Sequence, residues 1–165
     1  MKKPFVGVDF AGQLEQPPHQ YSVATRFSRK KQHKWIICLS RDRINELSIG
    51  CADWREKIYA ILILKTVNKV FQPGCVIHID KEFHGTTQKK VSNYLRRLFG
   101  VINYGKGIWA NPPFEFLPKE YSAYVREADR KSKQARRKMM HSNETDPPIE
   151  KMLEILEDAR RRGIV

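Results

Sequence analysis

The chain has 165 residues, 41% of them hydrophobic and 30% charged, and its 31 Lys and Arg against 18 Asp and Glu give a formal net charge of +13. This length suffices for one domain with a real core, so we expect a single domain over residues 1–165. No run of about 18 apolar residues occurs, which excludes a transmembrane helix. The large positive charge predicts a polyanionic partner.

Nucleic acid is the partner that this charge favours, and an anionic membrane surface is the alternative. The basic residues are spread along the chain, and no basic amphipathic helix with an exposed aromatic face is apparent. Because membrane-surface helices have that character, we expect a nucleic-acid partner and no membrane association.

The cysteines and the start of the chain predict a cytoplasmic protein. Cys38, Cys51 and Cys75 are an odd number without a Cys-x-x-Cys pair. This argues against a disulfide framework and a zinc ribbon, and favours buried thiols in a reducing compartment. Residues 1–4 lead straight into a predicted strand, without the apolar region of a signal peptide.

The first predicted strand is the apolar run at residues 5–10, which carries Asp9 near its end and is followed by Gly12. Short apolar runs of this kind are typical of buried strands. A carboxylate in such a strand is costly unless it is hydrogen-bonded, paired or bound to a metal ion. Asp9 is therefore either part of a functional site or an ordinary strand-end aspartate in a turn.

Two more strands follow, with a strongly basic run between them. Residues 21–27 alternate apolar and polar side chains, and residues 35–39 are mostly apolar. Three consecutive strands with short links predict an antiparallel meander. The basic run lies in the second hairpin, where it is either a solvated turn or a contact to phosphate. Its candidates for nucleic-acid binding are Arg29, Lys30, Lys31 and Lys34.

Helices and strands are predicted to alternate in the middle of the chain. Residues 54–70 form a helix that is apolar around most of its circumference, with Asp53 as its cap and Glu56 near its start. The fourth strand, residues 75–80, ends at Asp80.

A second helix begins at Thr86 or Thr87 and ends at Gly100. A strand, a helix and another strand make a crossover, so the strands here should be parallel. Residues 101–102 and 107–110 are predicted to supply that last short strand.

The last third of the chain is predicted to be helical. The helix at residues 118–141 has an apolar stripe that includes Tyr121, and Asp129 lies beside this stripe. Its opposite face carries further candidates for nucleic-acid binding, namely Arg130, Lys133 and Arg137. Residues 142–148 are predicted to be a polar linker before a C-terminal amphipathic helix at about 148–162.

The order of these elements, and four acids placed on them, resemble the ribonuclease H-like superfamily, which includes ribonucleases H, Holliday-junction resolvases, transposases and integrases. Val8-Asp9-Phe10-Ala11-Gly12 looks like the family's first-strand motif, and Ile77-His78-Ile79-Asp80 looks like its fourth-strand acid. Glu56 with the apolar residues after it looks like the family's acidic helix, and Arg126-Glu127-Ala128-Asp129 looks like its late one. The loop at 111–118 lacks the histidine that many ribonucleases H carry before the last acidic helix.

The resemblance implies an α/β fold with a mixed five-stranded sheet, three antiparallel strands followed by two parallel ones, flanked by helices. It also implies a nuclease that hydrolyses phosphodiester bonds with two Mg²⁺ or Mn²⁺ ions. The implied catalytic and metal-binding residues are Asp9, Glu56, Asp80 and Asp129. Asp53 is the alternative to Glu56, and Glu127 or Glu120 is the alternative to Asp129.

Two other functions stay open at this point. The same fold could bind nucleic acid without cutting it, or the chain could be a basic subunit of a ribonucleoprotein that docks through its last helix. DNA, RNA, an RNA–DNA hybrid and a branched junction are all open as substrates. A homodimer would suit a junction, since two symmetric cuts need two sites.

Overall fold

The computed structural model describes residues 5–11, 20–27, 33–67, 76–81, 85–104, 114–137 and 144–161. The strands are β1 (Phe5–Ala11), β2 (Gln20–Phe27), β3 (His33–Ser40), β4 (Val76–Asp80), β5 (Phe114–Leu117) and β6 (Glu144–Thr145). The helices are α1 (Arg41–Ser48), α2 (Trp54–Val67), α3 (Gly85–Tyr104), α4 (Ala123–Arg137) and α5 (Glu150–Arg161), and a 3₁₀ turn, Lys119–Tyr121, precedes α4. Among these helices, none is long and apolar enough to cross a membrane.

The six strands form one sheet in the order β5-β4-β1-β2-β3-β6. Parallel pairing joins three strands on one side, β1, β4 and β5, and two strands on the other, β3 and β6. Antiparallel pairing of β2 with both β1 and β3 connects the two groups. The parallel strands β1 and β4 place their carboxyl ends at the same edge.

The predicted five-stranded, ribonuclease H-like sheet of three antiparallel and then two parallel strands is wrong. In the described part of the chain the sheet has six strands, because β6 adds a second parallel pair next to β3, where the prediction ended the sheet. Strand β6 falls in the predicted linker because two polar residues carry no alternating pattern. Asp146, with a left-handed backbone (φ 48°), holds it in place. Its N–H donates to Cys38 O at 2.8 Å, and its carboxylate accepts from Ser40 N at 2.6 Å.

The fifth strand also differs from the prediction. It is β5, Phe114–Leu117, whereas residues 101–102 continue helix α3. Gly100 does not end that helix, because its backbone does not adopt the left-handed conformation of a glycine C-cap. Residues 107–110 lie outside the described residues.

Helix α1 was not predicted, and α4 begins later than predicted. Only Ile44 and Leu47 of α1 are buried, too few for a periodic signal, and the helix starts where Ser40 Oγ accepts from Arg43 N at 3.3 Å. The turn Lys119–Tyr121 replaces the first turn of the predicted helix at 118–141. Tyr121, predicted to lie on the apolar stripe, is 78% exposed.

Helices cover both faces of the sheet. On one face α2 packs on the sheet with α3 and α5 against it, and the ring of Phe10 meets that of Tyr59 in α2 edge to face. On the other face α4 crosses β1 and β2. Gly7 allows this approach, because a Cβ there would lie 2.3 Å from the carbonyl carbon and oxygen of Tyr124. The core therefore lies between the sheet and the α2–α3 layer, while α4 lies directly on β1.

Candidate functional site

Two of the predicted acids, Asp9 and Asp80, lie side by side at the carboxyl ends of β1 and β4. The register of these strands pairs Gly7 with His78 and Val8 with Ile79, so the next step sets Asp9 beside Asp80. Neighbouring strands are about 4.8 Å apart, and paired residues point to the same face of a sheet. Both carboxylates therefore project from one face at one edge of the sheet.

This face is the one that α4 covers. Asp9 follows Gly7 by two residues and so shares its face, opposite to Val8 and Phe10, which face the core. Asp9 is 1% exposed, and Asp80 is partly buried. Of the two carboxylates, Asp80 is thus the more accessible from solvent.

His78, two residues before Asp80 on the same face, holds the start of α4. Its Nδ1 lies 2.9 Å from Ser122 Oγ, and that oxygen accepts from Val125 N at 3.3 Å. Since the hydroxyl already accepts from the helix, its own proton is available to His78. Burial lowers the pKa of His78, and the charge of Glu115 opposes this. A lowered pKa favours the neutral ring at neutral pH, and a neutral ring can accept the Ser122 proton at Nδ1.

Glu56 lies in the first turn of α2 and is 7% exposed. Its Oε1 is 3.2 Å from an amino nitrogen of Arg55, and the same nitrogen is 3.5 Å from Thr87 Oγ1 in the first turn of α3. The starts of α2 and α3 are therefore adjacent. Since α3 begins shortly after Asp80, Glu56 lies towards the same edge of the sheet as the aspartate pair, in the helix layer of the opposite face.

Asp53, the alternative to Glu56, is bound to α3. Its carboxylate accepts from Lys90 Nζ at 2.9 Å and from Tyr94 OH at 2.8 Å. The hydrogen bond from Lys90, with that from Tyr94, lowers the pKa of Asp53 against the effect of burial. The Asp53 carbonyl accepts from Lys57 N at 3.0 Å to begin α2. These contacts give Asp53 a structural role, because they join the start of α2 to α3.

The three candidates for the fourth acid differ in burial and in ion pairing. Asp129 is a partly buried residue of α4 next to the buried Ala128. Glu127 forms an ion pair with Arg130 one turn along the helix. Glu120 is exposed in the turn before α4.

Among the side chains that the structure describes, no group of three or more His, Cys, Asp or Glu is placed to hold a metal ion. The structure thus brings Asp9 and Asp80 together but does not gather Glu56 and Asp129 with them into one ligand set. Two adjacent carboxylates suit one divalent ion, because Mg²⁺ is commonly held by one or two carboxylates with water and phosphate oxygens.

The basic residues predicted to bind nucleic acid are only partly described. Arg130 is exposed on α4. Lys34 lies in β3, paired in register with Arg26, and Lys133 and Arg137 lie in α4. The hairpin residues outside the described part of the chain are Arg29, Lys30 and Lys31. Their roles stay predictions.

Sequence reasoning missed three residues that shape this edge: Gly7, Ser122 and Tyr121. A signal for Gly7 was present, since a glycine inside an apolar strand often marks the close approach of another backbone. Ser122 precedes an apolar-periodic segment, as N-cap residues do. Tyr121 could not be separated from the helical stripe that follows it.

Comparison with known proteins identifies no relative, since no family model, no curated protein and no solved structure matches this chain. The resemblance to the ribonuclease H-like superfamily stays a prediction that depends on this chain's own residues.

Proposed function

We propose that this protein is a divalent-metal-dependent nuclease in which Asp9 and Asp80 hold a Mg²⁺ or Mn²⁺ ion. The register of β1 and β4 supports this most directly, because it sets the two carboxylates side by side. The carboxyl ends of parallel strands are also the edge at which α/β proteins commonly bind ligands. Carboxylate oxygens are the ligands that these hard ions prefer.

When bound, such an ion would neutralise phosphate charge and lower the pKa of a water molecule that attacks phosphorus. The chain's own residues have separate parts. Asp9, buried beneath α4, provides a fixed carboxylate shielded from bulk water. Asp80, the more exposed, faces the incoming phosphate. His78, through Ser122, keeps α4 against β1 and so keeps Asp9 covered.

The charge of the whole molecule supports a polyanionic substrate. Two carboxylates alone repel phosphate, but the chain carries a formal net charge of +13. Cations outside the site would attract nucleic acid at long range and raise the rate of association. The acids would then act on the bound phosphate at short range.

The proposal is tested by incubating the protein with four labelled substrates: single strands, duplex DNA, an RNA–DNA hybrid and a four-way junction. Each is run with Mg²⁺, Mn²⁺ or EDTA. We expect cleavage with metal only, and a fall of at least about 100-fold in Asp9→Asn and Asp80→Asn, because even outer-shell partners of metal ligands contribute about 10- to 100-fold.

Asp42→Asn is the matched control, since it removes the same charge from an exposed position on α1. It should cleave like the wild type. Circular dichroism checks that each variant is folded. Undiminished cleavage by both site variants would contradict the proposal.

A second candidate is a protein that binds nucleic acid without cutting it. The observation in its favour is that, in the described part of the chain, no third ligand joins Asp9 and Asp80. It predicts salt-sensitive binding that EDTA does not change, and no cleavage of any of the four substrates.

A further inference from the structure

Tyr121 is an exposed aromatic residue in the turn between β5 and α4. It is 78% exposed, and the other large hydrophobic side chains found exposed among those that the structure describes, Ile49 and Val101, are aliphatic. Aromatic rings usually bury most of their surface in a fold. An exposed ring offers a flat face to a ligand that has one.

The chain around Tyr121 places it at the proposed site. Leu117 of β5 lies beside Asp80 in register, and Lys81 N donates to Leu117 O at 3.1 Å. The turn Lys119–Tyr121 follows, and the next residue, Ser122, contacts His78. The turn that carries Tyr121 thus begins next to Asp80, and the residue that follows it, Ser122, contacts His78.

This turn is held at both ends. Tyr121 N donates to Pro118 O at 2.9 Å, and proline restricts the backbone at the start of the turn. Ser122, 3% exposed, is fixed between His78 and the first turn of α4. A ring on an ordered backbone loses little further conformational freedom when it stacks.

Exposed cations lie at the end of β4 and on α4, the two elements next to this turn. Lys81 directly follows Asp80, and Arg126 lies one turn into α4, where its N–H donates to Ser122 O at 3.0 Å. Glu115 and Glu120 are exposed nearby and oppose the binding of phosphate. A base carries no charge, so stacking on Tyr121 is not subject to that repulsion. An aromatic platform flanked by cations is the combination that binds single-stranded nucleic acid.

We propose that Tyr121 stacks on an unpaired base, and hence that the substrate at Asp9 and Asp80 is single-stranded or locally unpaired. Inside a duplex each base face is covered by its neighbours, so a protein ring can stack only on a base that has left the stack. This inference rests on the proposed function for the identity of the polyanion, but binding does not need hydrolysis.

The test measures binding in EDTA, where cleavage cannot occur. Fluorescence anisotropy gives the Kd of labelled oligothymidylate and of a DNA duplex of the same length. Tyr121→Ala should weaken binding of the single strand by about 5- to 150-fold, the usual effect of losing one stacked base. Binding of the duplex should change less than about twofold, because its bases are already stacked.

Two variants control for other effects. Tyr121→Phe keeps the ring and should bind the single strand as the wild type does. Ile49→Ala removes another exposed apolar side chain and should change neither Kd. Equal affinity of wild type and Tyr121→Ala for the single strand would overturn the proposal, as would equal losses for single strand and duplex. If Tyr121→Ala weakens single-strand binding but the wild type never cleaves with metal ions, the stacking inference is supported and only the proposed nuclease activity is contradicted.

Discussion

Gly7 shows how one residue decides the packing of a whole helix. A Cβ at this position would lie 2.3 Å from backbone atoms of Tyr124, which cannot rotate away as a side chain can. The absence of a side chain at Gly7 is therefore what lets α4 lie on β1 and cover Asp9.

We expect Gly7→Ala to destabilise the protein by about 1–3 kcal/mol, the usual cost of overpacking, because α4 must move away from β1. Urea unfolding measures this change. Gly100→Ala is the matched control: it has open space around its position in α3, and alanine there should stabilise the helix by up to about 1 kcal/mol. Equal stability of Gly7→Ala and the wild type would contradict the close contact.

Lys57 is a second residue with a large effect, since it is fully buried and charged. Its Nζ forms an ion pair with Glu157 of α5, lies 4.0 Å from Cys51 Sγ and stands 5.7 Å from the centre of the Tyr94 ring. This pair ties the last helix to α2. A buried charge that loses its partner is costly, whereas an apolar replacement of the charge is tolerated.

Glu157→Gln should therefore destabilise the protein by about 3 kcal/mol, near the lower end for a broken buried pair because Glu157 is partly exposed. Lys57→Met should cost clearly less. Glu154→Gln, an exposed change on the same helix, should stay within about 0.5 kcal/mol. Chemical denaturation of the three variants gives their order, and a larger loss in Lys57→Met than in Glu157→Gln would refute this account.

At the scale of elements, the contact of His78 with Ser122 joins β4 to the first turn of α4. Burial lowers the pKa of His78 in the folded protein. As the pH falls below about 6.5, the unfolded chain takes up a proton at this histidine before the native protein does. The contribution of His78 to the free energy of unfolding is therefore complete above about pH 6.5, and it declines as the pH falls towards the lower pKa of the folded protein.

His78→Asn keeps an acceptor for the Ser122 hydroxyl but does not titrate in this range. We expect the stability of the wild type, relative to this variant, to be lower at pH 5.5 than at pH 7.5. Urea unfolding of both proteins at the two pH values measures this. A relative stability that stays constant, or rises at the lower pH, would count against a buried neutral ring.

The elements also show what the sequence can and cannot predict. Helical apolar periodicity indicated the helices α2, α3 and α5, and short apolar or alternating runs indicated the first four strands. Helix α1 and strand β6 were not predicted, because they contain too few apolar residues to show a periodic pattern. Helix α1 depends on the cap at Ser40 instead. Strand β5 lies later than predicted because a glycine such as Gly100 indicates a helix end, whereas α3 continues to Tyr104. The pairing of Asp9 with Asp80 depends on strand register, a long-range property that local patterns do not contain.

At the scale of the whole molecule, the proposed function relies on the net charge of +13 to attract nucleic acid to the protein. Each phosphate neutralised by the protein adds to the salt dependence of binding. Arg130, exposed on α4, was predicted to make such a contact.

Arg130→Gln should reduce the slope of log K against log salt for single strands by about 0.7, the value for one lost phosphate contact. Arg41→Gln removes an equal charge from an exposed position on α1 and should leave the slope nearly unchanged. Anisotropy titrations between low and moderate salt give both slopes. Identical slopes for the two variants would show that α4 has no special part in binding phosphate.

The central claim is that Asp9 and Asp80 together form the site of a divalent ion, and Mn²⁺ binding followed by electron paramagnetic resonance tests it most directly. We predict that the wild type and Asp42→Asn bind Mn²⁺, and that Asp9→Asn and Asp80→Asn each lose this binding while remaining folded. Unchanged Mn²⁺ binding in both site variants would contradict the claim, and the aspartate pair would then need a purely structural explanation.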